Sequence, residues 1–597
     1  MSEFGYQAKS TQLPLFSMIL PRNLLSIFIV YQQTLVALGQ EMYLADALAH
    51  ASGHMLWRLK EILDFRPVEE ACGRYRHSRG PGCPASYSIS MLVRAILVGW
   101  LYGLSLRKLE GRLHYDLVAR WFVGCGAGER IPDHSTLGRF ELWLIETQAE
   151  VYFSTLLSQI DRFFPQERQS VQIGDTYAML ANAADEGLVK RIRHLCLRLS
   201  MELQDSLPGK FEIYLQGFPW QALFGPKPEK AEELIGKAGR KERLERTVLA
   251  ALDFRQRVER LLETDDRYEQ RLLWSWCAYL DKVLKDEVEV ERNAQNEPVR
   301  VTEKAMKNKG DFRVISATDP EASLRMHGDR DQLRLGYNVQ LAITPTGFIR
   351  ETRAYSGATP DQSGVAALIA AQKQRQEATG QSPQLPPKLI YDKAAGTGKT
   401  RAEVQAVSHG HTQLVAKAKQ PFTQAEHFSP YDFHLAPDGE SLTCPHGQVS
   451  TTAYPVPESY ARHFAFHPHQ CWQGQPPHSQ KQADLSKRCP VWEHCRGANQ
   501  GPRRIRQVFI SDFRDQILAA EVYNQTESFQ KEMKQRPLVE RVIFELTHYH
   551  GARLCRRRGV LGADFQAKMC ATAYNLKLLL LKLGRVAPKP GIAPLAG

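Results

Sequence analysis

Long apolar runs are missing from this sequence. The apolar stretch 24–31 is too short to cross a bilayer, and no later segment reaches the roughly 20 residues that a membrane-spanning helix needs. The 11 cysteines are few and unevenly spaced, which excludes the dense disulfide framework of a small secreted protein. No internal repeat is found. We therefore expect a cytoplasmic protein with no membrane partner.

The composition is that of an ordinary globular protein, with 43% apolar and 24% charged residues. A chain of 597 residues is long enough for three or four modules. The net charge of +12 attracts polyanions. One basic run is usually a solvated helix face, but four of them together favour DNA or RNA as a partner; the runs lie at 190–198, 237–246, 503–506 and 556–558.

The first third of the chain has helical periodicity. Apolar and basic residues recur at helical spacing over 91–101 and 106–113, and Asp133 or Ser135 can cap a helix over 137–147. We predict an extension or arm over 1–41 and an all-helical DNA-binding domain over 42–165. A helix-turn-helix DNA binder and a plain helical scaffold both fit this pattern.

The middle of the chain indicates an α/β fold. A strand at 171–176 is followed by a charged helical insertion over 187–310, and then by a hairpin of strands 336–343 and 348–355. A helix over 361–374 and strands at 387–391 and 412–417 complete the order of an RNase H-like mixed sheet. We assign 166–186, 311–420 and 511–585 to this catalytic domain, 421–510 to a Cys-rich insertion, and 586–597 to a tail.

Three acidic residues are candidate metal ligands. Asp175 and Asp392 lie at predicted strand ends, and Glu540 lies within a predicted helix over 524–549. Carboxylate oxygens are the ligands that Mg²⁺ prefers. Two such ions about 4 Å apart can activate a water or a 3′-hydroxyl and neutralise charge during cleavage of a phosphodiester. Taken singly, each acid is weak evidence, because most acidic residues are solvated surface groups.

Five segments, in this order, resemble the DDE transposases of bacterial insertion sequences over residues 50–583. The segments are WLYGLS at 100–105 with LE at 109–110, RWF at 120–122, PDHST at 132–136 and RF at 139–140; GDT at 174–176 with ANA at 181–183; TDPEA at 318–322 leading to GYNVQ at 336–340; YDK at 391–393; and RPLVER at 536–541 with HGAR at 550–553 and YNLK at 574–577. Each segment alone is modest evidence, and the ordered set is specific.

The resemblance implies that Asp175, Asp392 and Glu540 hold two Mg²⁺ or Mn²⁺ ions and cleave and join DNA strands. Glu545 is the fallback for the third acid. The family often places Tyr, Arg, Glu and Lys in order on the glutamate helix. This sequence departs from that pattern at two positions, where Met533 replaces the Tyr and Thr547 replaces the Lys. It also departs from the family after the second aspartate, where Ala395 replaces an aromatic residue.

The same resemblance implies double-stranded DNA as partner, in the form of terminal inverted repeats and target DNA. Two ends must be brought together, so we expect a dimer on DNA, at the nucleoid. A transposase-derived DNA-binding protein without catalysis and an RNase H-type endonuclease are the alternatives. The predicted DNA contacts are His134, Arg139, Arg536, Arg553, Arg556, Arg557 and Arg558, with a solvated turn as the alternative for the last four.

Residues 393–400 (KAAGTGKT) resemble the phosphate-binding loop of an ATPase. That loop needs a glycine five residues before Gly398, where this chain has Lys393. The sequence therefore favours a polar loop that opens a helix.

Four cysteines fall within the Cys-rich insertion. Four thiolates can form a tetrahedral structural zinc site, although the spacing lacks tight two-residue pairs. The sequence leaves two possibilities, structural zinc or free thiols, for Cys444, Cys471, Cys489 and Cys495.

Overall fold

The computed structural model describes residues 53–584, except for 76–86, 127, 225–236, 264–270, 327–332, 379, 381, 420–426, 452, 479–483 and 498–500. The predicted arm at 1–41 with its apolar stretch, the residues 42–52 and the predicted tail at 586–597 lie outside the described residues. The chain divides into two compact units. Of the described residues, one unit contains 53–160 with 572–584, and the other contains 161–571.

The described residues up to 163 form helices joined by turns and loops, with no strand among them. Hydroxyl and carboxylate caps start four of these helices: Ser88, Ser105, Asp116 and Asp133 each accept a hydrogen bond from a backbone amide of the first turn. Asp133, rather than Ser135, is thus the cap of the predicted helix. The helices are α1 (Met55–Ile62), α2 (Arg66–Ala71), α3 (Ile89–Leu101), α4 (Leu106–Tyr115), α5 (Leu117–Val123), α6 (His134–Thr147) and α7 (Val151–Phe163).

Helices α3 and α4 meet at 107° across a four-residue turn. Gly103 makes this turn possible because its φ of +65° is readily adopted only by glycine. Leu109 of α4 packs against α3 so closely that a Cβ on Gly99 would lie 3.0 Å from the Leu109 Cδ2 atom. The geometry is that of a helix-turn-helix unit.

The described residues contain no single helix that is long and apolar enough to cross a membrane. Only α3 and α4 taken together have the length and composition, and α3 is largely buried within the protein.

A six-stranded mixed sheet forms the centre of the second unit. Its strand order is β4-β5-β1-β7-β8, with β6 also paired to β5. Strand β5 pairs antiparallel with β1, β4 and β6, whereas β7 is parallel to β1 and to β8. The strands are β1 (Gln172–Leu180), β4 (Ser323–Met326), β5 (Leu333–Ile343), β6 (Ile349–Ser356), β7 (Lys388–Ile390) and β8 (Gln413–Val415).

Helices α13 (Val365–Ala378) and α14 (Gly398–Val407) cover this sheet. Apolar side chains of α13 and α14, among them Leu368 and Val404, pack with Leu389 and Leu414 of the sheet in one buried cluster. This burial fixes the two parallel strands β7 and β8, which have only three residues each.

The helical insertion joins β1 to β4 and has its own apolar core. Its entry and exit are held together because Glu186 accepts a hydrogen bond from the Ala317 amide (3.0 Å) and donates its own amide to the Ile315 carbonyl (3.2 Å). The prediction of an all-helical insertion was wrong at its end, where β2 and β3 form a hairpin. Its elements are α8 (Leu188–Ser206), α9 (Pro208–Leu215), α10 (Trp220–Phe224), α11 (Lys237–Glu263), α12 (Arg271–Glu287), β2 (Val288–Arg292) and β3 (Pro298–Glu303).

The Cys-rich insertion contains two small three-stranded sheets and one short helix. Its core includes Phe433, Phe464, Phe466 and Val508. Its elements are β9 (His434–Leu435), β10 (Leu442–Thr443), β11 (Val449–Ser450), β12 (Ala453–Val456), β13 (Ala461–Phe466), α15 (Trp492–Arg496) and β14 (Arg506–Ser511).

The helix predicted over 524–549 is two helices in the structure, and residue 524 is the last residue of a preceding helix, which corrects the sequence interpretation. Thr526 caps one of them, and Pro537 starts another, because proline fits the first helical position and lacks the amide that a helix interior needs. The C-terminal helices are α16 (Arg514–Asn524), α17 (Glu527–Met533), α18 (Pro537–Tyr549) and α19 (Val560–Lys582).

The Glu110 carboxylate stabilises the start of α6. It accepts hydrogen bonds from the His134 backbone amide (3.1 Å) and lies 2.7 Å from His134 Nδ1, and these bonds hold the pKa of Glu110 below its ordinary value of 4.5. A lowered carboxyl pKa stabilises the fold above the ordinary pKa, and the effect is lost as pH falls through the lowered one.

We expect Glu110→Gln to lower stability at pH 7 by about 0.5–1 kcal/mol, the range of a partly exposed ion pair. Thermal unfolding of both proteins over a series of pH values from 7 downward measures this. The difference should shrink as the pH falls through the lowered pKa of Glu110, because wild-type Glu110 then becomes protonated too. Glu61→Gln is the control, since the Arg58–Glu61 pair is long at 3.8 Å. An equal loss from both substitutions would contradict this account.

Candidate active site

Asp175 lies on β1, and Asp392 lies just beyond the end of the neighbouring parallel strand β7. The pairing of β1 with β7 ends at Ile173 with Ile390, and each aspartate comes two residues after its member of that pair. Asp175 was predicted at a strand end, which was wrong: β1 continues to Leu180, so Asp175 lies in the middle of the strand. Asp392 is separated from β7 by Tyr391 and accepts hydrogen bonds from the amides of Ala394 and Ala395 (3.0 and 3.4 Å).

Gly174 allows β1 and β7 to approach each other at this point. A Cβ on Gly174 would lie 2.4 Å from Cε2 of the Tyr391 ring, and Tyr391 is fully buried. The residue between Ile173 and Asp175 therefore has to be glycine for the ring to occupy its place. The Tyr391 hydroxyl has no hydrogen-bond partner among the residues that the structure describes.

Arg536 connects the glutamate helix to the sheet. One terminal nitrogen (Nη2) donates to Asp175 Oδ2 at 3.0 Å, and the other (Nη1) donates to Glu540 Oε1 at 3.1 Å. Arg536 is the residue before Pro537. Glu540 was predicted in the middle of a longer helix, whereas in the structure it lies in the first turn of α18. The carboxylates of Asp175 and Glu540 therefore share one cation.

The electrostatics of Asp175 depend on its burial. Burial raises the pKa of Asp175 above its ordinary value of 3.8, and the negative charges of Asp392 and Glu540 raise it further. The Thr176 amide and the Arg536 guanidinium oppose this shift. The site thus gathers negative charge in a place where water alone does not stabilise it, which is the setting in which a bound cation gains most.

The fallback acid Glu545 is engaged elsewhere. It pairs with Arg541 at 3.2 Å on the same helix, as an exposed i,i+4 ion pair. No contact connects it to Asp175 or Asp392 in the described part of the chain.

Asp361 is a fourth acid near the site, and sequence reasoning missed it. Its Oδ1 atom accepts hydrogen bonds from Thr176 (3.0 Å), Arg325 (2.8 Å) and Asn338 (2.9 Å), which come from β1, β4 and β5. The charges of Asp175, Asp361 and Asp392 all act on Tyr391, whose burial raises its pKa well above the ordinary value. These partners lie far apart along the chain, so no local pattern could have revealed them.

The basic turn of residues 553–558 extends the end of β1. The Leu180 amide donates to the Arg553 carbonyl, and the Cys555 amide donates to the Leu180 carbonyl, both at 2.8 Å. Arg553 and Arg558 are exposed, and Arg556 and Arg557 are half-buried. Because the turn is hydrogen-bonded to Leu180, its arginines lie at a fixed distance from Asp175 on the same strand.

The TDPEA segment holds the start of α19, directly after this basic turn. Asp319 accepts a hydrogen bond from the Gly559 amide (3.2 Å), and Glu321 accepts one from the Val560 amide (2.6 Å). The Tyr337 hydroxyl donates to Asp319 at 2.5 Å. Carboxylates at a helix N-terminus complement its unpaired amides and its dipole.

The ATPase-like segment does not form a phosphate cradle. Its two glycines serve close packing, since a Cβ on Gly396 would overlap the Lys417 carbonyl oxygen and one on Gly398 would lie 2.6 Å from the Phe513 Cβ. Lys399 pairs with Glu403 at 3.8 Å. This confirms the interpretation as a loop that opens a helix, with Thr397 as the cap of α14.

The remaining predicted residues are placed as follows. His134 is bonded to Glu110, so its ring helps to hold α6, and Arg139 is exposed and donates to Thr136 at 3.2 Å. The four cysteines of the insertion line one cavity together.

Two family comparisons match this chain. Residues 45–141 match the family described as Transposase domain (DUF772), and residues 443–580 match the one described as Transposase DDE domain. The two matches support an insertion-sequence DDE transposase. The second match includes Arg536 and Glu540, whereas Asp175 and Asp392 lie outside both matches. No curated protein and no solved structure matches the chain.

Transposases of this family typically use divalent metal ions. As the side chains stand, no three acidic, histidine or cysteine residues of the described chain are close enough to ligate one ion. The chemistry of the candidate ligands nevertheless fits a divalent ion, because all three are carboxylates. Arg536 already supplies a positive charge to two of them, Asp175 and Glu540. The buried Arg536 Nε atom has no hydrogen-bond partner among the described residues.

We expect Gly174→Ala to destabilise the transposase by about 1–3 kcal/mol, because the added methyl group must displace the buried Tyr391 ring. Chemical denaturation of the purified protein measures the loss. Gly187→Ala is the matched control, since nothing lies within 4 Å of a Cβ at that position. Equal stability of the two variants would show that β1 and β7 are not held at this distance.

Proposed function

We propose that this transposase cuts DNA at the ends of its element and joins them to target DNA, using Asp175, Asp392 and Glu540. The observation that carries the proposal is the Arg536 guanidinium, which donates to Asp175 on the sheet and to Glu540 on α18. Asp392 comes two residues after the paired residue Ile390, as Asp175 comes two residues after Ile173, so we assign three acids from distant parts of the sequence to one region.

The sheet supports this proposal by its topology. The order β6-β5-β1-β7-β8, with antiparallel pairing up to β1 and parallel pairing beyond it, is compatible with an RNase H-like core. In such a core the catalytic acids come from β1, from the end of the next parallel strand, and from a late helix. We assign Asp175, Asp392 and Glu540 to those three positions.

Each residue has a defined task in this scheme. Asp175, Asp392 and Glu540 would hold two divalent ions, which supply Lewis acidity and activate the attacking water or 3′-hydroxyl. Arg536 holds Glu540 near Asp175 and places positive charge where the phosphate enters. Asp361 fixes Thr176 and hence the backbone next to Asp175.

The basic turn of residues 553–558 fits a contact to the DNA backbone. Leu180, which is bonded to this turn, lies five residues after Asp175 on β1, or about 17 Å at the usual strand rise. That span covers about five base pairs at 3.4 Å each. Arg553 and Arg558 would then bind phosphates several nucleotides from the cleaved bond, at the nucleoid.

The helix-turn-helix unit of α3 and α4 is the proposed reader of the element's ends. Its second helix, α4, exposes Arg107, Lys108 and His114, and Tyr115 is 88% exposed. Basic and aromatic side chains on the second helix of such a unit can enter the major groove.

We expect Glu540→Gln to reduce strand cleavage by about 100-fold or more, because even partners of metal ligands contribute about 10–100-fold. Labelled duplexes from the two ends of the encoding element, incubated with Mg²⁺, measure cleavage and joining. Asp392→Asn should have the same effect. Glu545→Gln, on the same helix, should retain activity within a few-fold, as is usual for an exposed ion pair.

The same assay separates the alternatives. Cleavage with joining supports the transposase reaction, cleavage alone indicates an endonuclease, and binding without cleavage indicates a DNA-binding protein that has lost catalysis. Full activity of both Glu540→Gln and Asp392→Asn would overturn the proposed site. Because two ends must be held together, joined products should form on a complex of at least two chains.

We expect a double variant, Arg107→Ala with Lys108→Ala, to weaken binding to end DNA and to flatten its salt dependence. Each lost phosphate contact lowers the slope of log K against log salt by about 0.9, so the pair should lower it by about 1.8. A fluorescence anisotropy titration at several salt concentrations measures the slope. Arg58→Ala with Arg66→Ala is the control, since those charges are paired with Glu61 and Asp64. Identical slopes would exclude α4 as a DNA contact.

A further inference from the structure

The four cysteines of the Cys-rich insertion surround one small cavity. Cys444 follows β10, and Cys471 ends a short 3-10 helix. Cys489 lies three residues before α15, and Cys495 lies within α15. Their thiols are free of disulfides, and the rest of the cavity wall is largely apolar, including Phe433, Phe466 and Trp492. As placed, no three of the four sulfurs are within ligand distance of one point, so binding would draw them toward the cavity centre.

Hydrogen-bond donors point at three of the four sulfurs. The Gln448 amide donates to Cys444 Sγ at 3.3 Å, and Arg496 Nη2 donates to Cys471 Sγ at 3.1 Å. The Val491 backbone amide donates to Cys489. Neutral thiols are weak acceptors, whereas metal-bound thiolates are commonly held by such outer donors.

The module also has little apolar core to hold it together. Its buried apolar cluster contains only six residues, and the strands of one of its sheets have two residues each. Small modules of this kind generally need a disulfide or a metal ion for stability. The cysteines come from four different positions along the insertion, so one ion would cross-link these positions.

We propose that Cys444, Cys471, Cys489 and Cys495 bind one structural zinc ion with tetrahedral tetrathiolate coordination. A set of four sulfurs favours zinc or iron, and the small cavity suits one ion rather than a cluster. The site lies apart from the acids proposed for catalysis and does not depend on their function. Its ion stabilises the fold of the insertion and takes no part in strand cleavage.

Metal analysis of the full-length chain, purified under reducing conditions, tests the proposal. We expect about one zinc per chain in the wild type, loss of most zinc in each single Cys→Ser variant, and full retention in Cys196→Ser. Cys196 is the matched control because it is a buried cysteine of the helical insertion. Asp392→Asn should also retain zinc, which separates this site from the proposed catalytic one.

A second measurement covers the case in which the serine variants fail to fold. Replacement of the ion by Co²⁺ in the wild type should give the sulfur-to-cobalt charge-transfer bands of a tetrahedral tetrathiolate site. Cys444→His should keep the ion with a weaker band, because histidine also ligates zinc. A wild type that binds no zinc, holds iron instead, or shows a cobalt spectrum without thiolate bands would overturn the proposal.

Discussion

Arg536 places one positive charge between two carboxylates that would otherwise repel each other. Asp175 is held on a central strand and largely buried, so its charge is poorly hydrated. Glu540 is 57% exposed and belongs to a helix that is separate in sequence. A single guanidinium with two donors contacts both carboxylates at about 3 Å and links α18 to β1.

The pairing of β1 with both neighbours supplies the other half of the site. Antiparallel pairing with β5 orients Asp175, and parallel pairing with β7 brings Asp392 beside it. This parallel contact involves few residues and depends on the absence of a side chain at Gly174. The negative charge gathered there is therefore held by packing as well as by the guanidinium.

The sequence predicted most sheet strands because their apolar runs are bounded by turn residues, as in the hairpin of β5 and β6. It underestimated β1, since Gly174 and Asp175 interrupt the apolar pattern that Tyr177 and Met179 continue. It missed the hairpin of β2 and β3, whose charged, exposed residues resemble a helix surface. Asp361 escaped detection because its partners meet only in the folded chain.

The candidate site residues were predicted partly from their position in the chain and partly from resemblance. Asp392 follows a clear buried strand, so its place was readable from the chain itself. The position of Glu540 could not be predicted in this way, because the acidic residues of one helix can be told apart only by their partners in the folded chain. Glu545 illustrates this: it lies one turn further along the same helix and pairs only with Arg541.

The hydrogen bonds of Glu186 with Ile315 and Ala317 hold the two ends of the helical insertion together, so more than a hundred residues are inserted at one point of the sheet. Because the helical insertion packs around its own core, its length can change in evolution while β1 and β5 keep their register. An insertion of a different size at this place would therefore leave the sheet and the proposed active site unchanged.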